Sequence, residues 1–416
     1  MMVKETVCIK KKQVQLSVVD SKISAILRSD VTKTGIRLYN DGCLGIAGAI
    51  GQYDENELEG RAKQMLKFKM PYAATPTENN TRSVDLSGRL TMSDAEILGV
   101  AEEFLAKASK NHPKFSFGHK ITLTEEETSL KNSVGTALAQ KEKHFEIAVT
   151  IKHKESKNLM DGIIFYVTRD FCMDEAMRLV DEECGNYELK VDFGTEFEKI
   201  PVVLGHSGMA LGRKFMMDLR GDAFANGATL LSGKTGQKLF SDKFSLLVSR
   251  DAEKFDTFFD GEGVTLPGDS FTLIENGVLK APYTSKRIAK QYNLPITGSA
   301  ALEYDAAPDA SPWGMKMAES GKTLKELLAG RKAIYIKNAS GGDYTPQGEF
   351  ASPIQTAYLY EGDKCLGRLP QLSMTSNLFD IFGNDFVGLS TDGDYAGSPY
   401  KFAVVEMNVK KIDGWM

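Results

Sequence analysis

The residues of this chain that could do chemistry meet at one corner, where an apolar strand predicted over residues 200–204 runs into a helix carrying His206. Such a corner holds side chains and helix amides at the rim of a cleft, where catalytic groups are often found. Zinc hydrolysis would need a second ligand about one helical turn further on and a carboxylate base nearby. Ser207 follows the histidine instead, and the positions one turn further are apolar and end at Leu211. The corner therefore lacks the usual partners of a zinc-binding histidine.

Ser207 also lies in the sequence Gly-His-Ser-Gly-Met, which resembles the start of a serine nucleophile elbow. In that elbow a glycine at the fifth position lets the helix approach the strand, and here the fifth residue is Met209. The hydrolase fold also takes its histidine from after the nucleophile, and the sequence has no histidine beyond His206. The order of residues argues against a serine hydrolase.

Further polar side chains that could line a cleft lie in glycine-rich loops of the second half. Carboxylates beside glycine usually form turns. These residues are therefore candidates only if the fold brings them to a cleft. They are Asp343, Tyr344, Asp385, Asp392 and Asp394.

The composition is that of a globular protein, with 42% hydrophobic and 26% charged residues and a formal net charge of −5. Nucleic-acid binding needs a surplus of Lys and Arg on one face, so this charge argues against it. No apolar run approaches the ~18 residues that would span a bilayer. The five cysteines are scattered and never form a C-x-x-C pair, which indicates reduced thiols and a cytoplasmic location.

The first half is predicted to alternate blocks of strands and helices. An antiparallel meander is expected first, followed by helices that begin after Asp54 and Ser93, each with a glutamate three residues on. Lys10, Lys11 and Lys12 are interpreted as a solvated strand end. Residues 71–87 are expected to form a surface loop. The strands are expected over residues 14–19, 23–27, 35–39, 44–50, 120–124, 144–152 and 162–168, and a third helix over residues 173–183.

The second half is rich in short strands and close turns, of which Asn276-Gly277 is the clearest hairpin signal. Such spacing favours a barrel or a strongly curved sheet. The fold class is therefore α+β, with a strand-rich, barrel-like second part. A chain of 416 residues exceeds one ordinary core, and we expect domains at residues 1–194 and 195–416.

Several segments together resemble the TldD/PmbA family, whose PmbA branch is also called TldE and whose members were once named modulators of DNA gyrase. The resemblance covers most of the chain and is most specific in the second half. The segments that carry it are Thr-Gly-Ile-Arg-Leu-Tyr at 34–39, Phe-Asp-Gly-Glu-Gly-Val at 259–264, Ile-Glu-Asn-Gly-Val-Leu at 274–279, Tyr-Thr-Ser at 283–285, Thr-Gly at 297–298 and Gly-Asp-Tyr at 342–344.

In this family a TldD subunit, a zinc peptidase with a His-Glu-x-x-x-His helix and a later cysteine ligand, pairs with a TldE subunit that lacks those ligands. On that pattern His206 matches the first histidine, Ser207 stands at the glutamate, Leu211 at the second histidine and Ser390 at the cysteine. One ligand of three cannot hold a catalytic zinc. The resemblance thus implies a PmbA/TldE-like subunit without a metal or other cofactor.

The same resemblance implies partners: a TldD-like subunit or a second copy of the chain, and a peptide held at a sheet edge by backbone hydrogen bonds. Nucleic acid and membrane are not expected partners. Whether the chain is itself an enzyme stays open, and two other functions remain: an active hydrolase with a site not yet recognised, and a purely structural peptide-binding protein. Bound metal would favour the first of these, and peptide binding without turnover would favour the second.

Overall fold

The computed structural model describes residues 2–191, 196–205, 210–339, 341–362 and 364–412. The first half is built on one sheet of long, mostly antiparallel strands in the order β3-β2-β1-β5-β6-β4, with β7 also paired to β6. The bounds of these strands are β1 Val3–Val19, β2 Lys22–Asn40, β3 Cys43–Ile50, β4 Thr81–Asp85, β5 Phe115–Asn132, β6 Ala137–His153 and β7 Gly162–Thr168. The helices of this half are α1 Glu55–Leu66, α2 Glu96–Asn111 and α3 Met173–Glu188.

Local capping chemistry begins α1 where the sequence predicts it, since the Asp54 carboxylate accepts the backbone N–H of Glu57 at 2.9 Å. Ser93 and Glu96 do pair, through two contacts of 2.7 Å, but α2 begins only at Glu96. The apolar faces of α2 and α3 pack on β1, β5, β6 and β7 to form the core of this half. The predicted helices are thus present, and α2 begins two residues later than expected.

Two predictions for the first half are wrong in detail. Lys10, Lys11 and Lys12 are exposed as predicted, but they lie inside β1 and not at its end. They stand opposite Glu127, Glu126 and Glu125 of β5, and opposite charges on neighbouring strands favour the extended pairing of this polar segment. The predicted loop over residues 71–87 contains β4, which pairs in parallel with β6. The hydrogen bonds of β4 come from a strand more than fifty residues away, so its own sequence carries little signal.

The second half contains a large mixed sheet in the order β14-β15-β18-β20-β8-β13-β16-β17, with β19 on β20, and a small sheet in the order β11-β10-β9-β12. Its strands are β8 Glu196–Leu204, β9 Leu246–Ser249, β10 Ser270–Glu275, β11 Val278–Leu279, β12 Met315–Met317, β13 Lys332–Asn338, β14 Asp343–Tyr344, β15 Glu349–Ile354, β16 Thr356–Glu361, β17 Lys364–Arg368, β18 Leu372–Asn377, β19 Phe386–Leu389 and β20 Ala403–Lys411. Its helices are α4 Arg213–Asp218, α5 Gly221–Ala225, α6 Lys286–Tyr292, α7 Leu324–Leu328 and α8 Leu378–Ile381.

The α+β class and the strand-rich second half are confirmed. Over the described residues, however, the sheets are open and not closed barrels, because each begins and ends on a different strand. Asn276 and Gly277 both have positive φ, 46° and 79°, and form the predicted hairpin turn between β10 and β11. The division between residues 194 and 195 falls among residues 192–195, outside the described part, and stays a prediction.

The two halves touch directly through a fully buried arginine. Arg37 of β2 pairs with Glu5 of β1 at 3.2 Å and donates to the carbonyl oxygens of Gly261 at 2.5 Å and Glu303 at 2.6 Å. Those carbonyls belong to loops of the second half.

Within the described residues, no helix is long and apolar enough to cross a membrane.

Candidate functional site

The corner predicted from the sequence lies at the carboxyl end of β8, beside the carboxyl end of β13. These strands run in parallel, with Val203 opposite Tyr335 and Leu204 opposite Ile336. Parallel strands bring the residues that follow them to one edge of the sheet, which is where α/β proteins usually hold ligands. The residue after β8 is Gly205, and His206, Ser207, Gly208 and Met209 lie outside the described residues. The site is therefore described from Gly205 and the residues that lie around it.

Gly205 lies against two side chains of the last segment of the chain. A Cβ placed on it would lie 3.4 Å from the ring of Phe402 and 3.5 Å from Oδ2 of Asp394. A cavity of about 40 Å³ adjoins this point and has room for water but not for a peptide. The residues that line the cavity are Ile163, Phe165, Gly205, Tyr335, Ile336, Lys337, Asp394 and Tyr400.

Two residues that line this cavity, Lys337 and Asp394, belong to a cluster of charged groups. Nζ of Lys337 lies 3.1 Å from Oδ1 of Asp394 and 3.6 Å from Oε2 of Glu183. The hydroxyl of Tyr335 donates to Asp394 at 2.9 Å, and that of Tyr358 donates to Glu183 at 2.8 Å. Glu183 comes from α3 of the first half, so the cluster joins the two halves beside the corner.

The pKa shifts in this cluster identify which groups carry charge. Burial alone would lower the pKa of Lys337, but the charges of Asp394 and Glu183 outweigh it and hold that pKa above its ordinary value. For Asp394, burial opposes ionisation, yet the neighbouring ammonium of Lys337 holds its pKa below the usual range. Burial raises the pKa of Glu183 despite the same ammonium. Lys337 is thus a charged partner of Asp394 and does not supply a neutral amine as a base.

Leu211, at the other side of the corner, belongs to the core. Its side chain is fully buried, in the same cluster as Phe215 of α4. Its carbonyl oxygen accepts the hydroxyl of Tyr344 at 2.9 Å, so β14 lies against the segment that leads into α4. Asp343 is exposed, and its carboxylate lies 3.9 Å from Nη1 of Arg213. The structure thus brings Leu211, Asp343 and Tyr344 together.

Ser390 is fully buried and its hydroxyl is engaged on both sides. It donates to the carbonyl oxygen of Asp392 at 2.7 Å and accepts the backbone N–H of Phe402 at 2.9 Å. Since the ring of Phe402 packs against Gly205, Ser390 is linked to the corner through Phe402. Asp385 lies apart, in an ion pair with Lys199.

Glu183, Tyr335 and Lys337 were not predicted from the sequence as residues of the site. A lysine at the end of the apolar run over residues 333–336 was the one available signal, because a charge in a buried strand normally has a partner. Among the described residues, no group of three or more His, Cys, Asp and Glu side chains is arranged to hold a metal ion. His206 is not among those residues.

Residues 198–411 match the family model for the PmbA/TldA metallopeptidase C-terminal domain. An uncharacterized protein of Methanocaldococcus jannaschii is 23% identical over 84% of this chain and 82% of its own length. The metalloprotease TldD homolog of Buchnera aphidicola from Schizaphis graminum is 24% identical, over 78% of this chain and 65% of its own length.

Two solved structures share the fold. A modulator of a DNA gyrase from Thermotoga maritima has a TM-score of 0.79 and 16% identity, covering 98% of this chain and 96% of that one. The TldE protein of Thermococcus kodakarensis has a TM-score of 0.77 and 17% identity, covering 98% of this chain and 95% of that one. At these identities the likeness concerns the fold alone.

Proposed function

The chain belongs to the PmbA/TldA metallopeptidase family, and on that premise we propose that it is a PmbA/TldE-like, non-metallated subunit of a peptide-processing assembly. Its partner in this proposal is a TldD-like metallopeptidase subunit. One solved protein with a similar fold, TldE of Thermococcus kodakarensis, carries the name of that branch.

One observation carries the proposal: the position where the zinc motif would have its second histidine holds Leu211, whose side chain is fully buried in the core. A metal ligand at this position would have to turn out of a packed apolar cluster. The glutamate that would activate water is replaced by Ser207, so neither coordination nor base catalysis is supported.

In this role the corner would help to hold a peptide for the partner subunit. The sheet edge that touches the corner is β14, which pairs with β15 on one side and contacts Leu211 through Tyr344. An extended peptide added to that edge would gain main-chain hydrogen bonds without demanding one sequence. We also propose a cytoplasmic location, which the five unpaired cysteine thiols favour.

The test is purification of the chain alone and together with a TldD-like subunit from the same cell, followed by zinc analysis and peptide cleavage. We expect no stoichiometric zinc and no cleavage by the chain alone, and cleavage by the two-subunit complex. His206→Ala is compared with His112→Ala, a histidine paired with Asp181 on the surface of the first half. One zinc per chain, lost in the His206 variant and kept in the control, would overturn the proposal.

A stable homodimer that forms no complex with the TldD-like subunit would also contradict it. Cleavage by the chain alone without zinc would instead favour a hydrolase with a different site. Peptide binding without cleavage in any combination would favour a purely structural role.

A further inference from the structure

A second cavity, of about 300 Å³, lies where the first half meets the outer strands of the large sheet. The loop between β6 and β7 and the end of α3 form one side of it. The turn between β15 and β16 and the segment between β17 and β18 form the other side. The side chains that matter for its chemistry are Lys157, Asn158, Asp161, Tyr187, Arg368 and Gln371.

Arg368 is held in the cavity by stacking. Its guanidinium carbon lies 3.8 Å from the centroid of the Tyr187 ring, and that ring is itself stacked on His153 at 5.9 Å with an interplanar angle of 24°. The backbone N–H of Arg368 donates to the carbonyl oxygen of Leu189 at 2.8 Å, which fixes the strand that carries it. Glu183 and Glu188, the glutamates of α3 before and after Tyr187, pair with Lys337 and Lys114 instead, and no ion pair of Arg368 occurs among the described residues.

The carboxylate in the cavity wall, Asp161, forms no ion pair with Arg368. It is almost fully buried, and its oxygens already accept the backbone N–H of His153 at 2.8 Å, the hydroxyl of Ser156 at 2.8 Å and the amide of Asn158 at 2.9 Å. These bonds fold the loop between β6 and β7. Lys157 and Arg368 bring two positive charges to the lining against the single negative charge of Asp161, so the cavity favours a negatively charged ligand.

A guanidinium stacked on an aromatic ring keeps its N–H edge free and planar, which matches a carboxylate in a two-point contact. The rest of the lining is hydroxyl and amide groups with Leu369 and Pro370, a surface that suits peptide groups and a small side chain. The volume is that of a small-ligand pocket. We propose that this cavity binds the C-terminal carboxylate of a short peptide through Arg368. That the ligand is a peptide rests on the proposed function, whereas the preference for a carboxylate rests on the geometry of Arg368.

The test is isothermal titration calorimetry of the full chain alone. N-acetyl-trialanine is titrated once as the free acid and once as the C-terminal amide. We expect saturable binding of the acid and binding of the amide weaker by at least about tenfold, because the amide loses the charge-assisted contacts. Arg368→Gln should abolish the difference. Arg331→Gln is the matched control, since Arg331 pairs with Glu406 on another surface. Tyr187→Leu should weaken binding of the free acid. Tyr187→Phe keeps the ring that stacks on Arg368 and should leave that binding unchanged.

Equal binding of acid and amide, or unchanged binding by Arg368→Gln, would overturn the proposal. Binding of inorganic phosphate without the acid would also overturn it, and acetate bound as tightly as the tripeptide acid would overturn the peptide assignment. If Arg368→Gln does not fold, the comparison of acid with amide on the unaltered chain still decides. The measurement needs neither a partner subunit nor zinc, so the failure of the proposed assembly is detected separately.

Discussion

The hydroxyl of Tyr72 lies 2.5 Å from Oε1 of Glu262, in a contact that joins the first half of the chain to the second. The other carboxylate oxygen of Glu262 accepts the backbone N–H of Lys286, at the start of α6. Asp260, two residues earlier, is equally buried and accepts three backbone N–H groups, from Glu262, Val264 and Ala300. Two buried carboxylates therefore share the interface between the halves.

Burial, followed by the charge of Asp260, raises the pKa of Glu262 from its ordinary 4.5 to about 7. Because the folded chain favours the protonated form, the contribution of Glu262 to stability is complete below pH 4.5 and is lost as pH rises toward 7. We expect this group to lower the free energy of unfolding by up to about 3 kcal/mol across that window. Glu262→Gln should remove this part of the pH dependence in urea titrations at pH 4.5 and pH 7.5.

The matched control for that titration is Glu102→Gln, on the exposed face of α2, which should keep the slope of the unaltered chain. The same slope in the Glu262 variant would mean that Glu262 is ionised throughout and that the buried pair does not titrate near neutral pH.

Lys337 supplies the ammonium that Asp394 and Glu183 share. Lys337→Met keeps the volume of the side chain but leaves both carboxylates without it, and we expect unfolding to become easier by about 3 kcal/mol. Lys114→Met is the control, because Lys114 pairs with Glu188 while its side chain is 65% exposed, and its loss should change stability by less than about 1 kcal/mol. Both variants are measured by thermal and urea unfolding. If they lose the same stability, the Lys337 cluster does not stabilise the junction between the halves.

The buried position of Leu211 predicts a packing cost. Leu211→Ala removes a side chain from the cluster that includes Phe215 and should lower the free energy of unfolding by about 2–5 kcal/mol. Leu27→Ala, with a side chain that is 59% exposed, should change it by about 0.5 kcal/mol or less. A small loss of stability in Leu211→Ala would mean that this side chain contributes little to the core. A metal ligand could then stand at this position, which would count against a subunit without zinc.

The sequence predicted elements whose cause is local, and missed those whose partners are distant. Asp54 caps α1, and Asn276-Gly277 turns the hairpin, because each involves neighbours in the chain. The strand β4 was expected to be loop, since its hydrogen bonds come from β6. The cluster of Lys337 joins positions 183, 337 and 394, and no spacing in the sequence relates them. The family motif pointed to the segment that follows β8, but it did not indicate the charged groups beside Gly205.

A tight backbone contact between the halves gives the last prediction. A Cβ on Gly35 of β2 would lie 1.6 Å from the carbonyl oxygen of Tyr304, a backbone atom of the second half that cannot rotate away. We expect Gly35→Ala to force the halves apart and to lower the free energy of unfolding by about 1–3 kcal/mol. Gly60→Ala, inside α1 with open space around it, should instead stabilise the helix by about 0.5–1 kcal/mol. Urea unfolding of both variants checks the difference in sign. If Gly35→Ala is as stable as the unaltered chain, β2 and the loop at Tyr304 are not packed against each other in solution. The contacts of Arg37 and Glu262 between the halves would then contribute little to the free energy of unfolding.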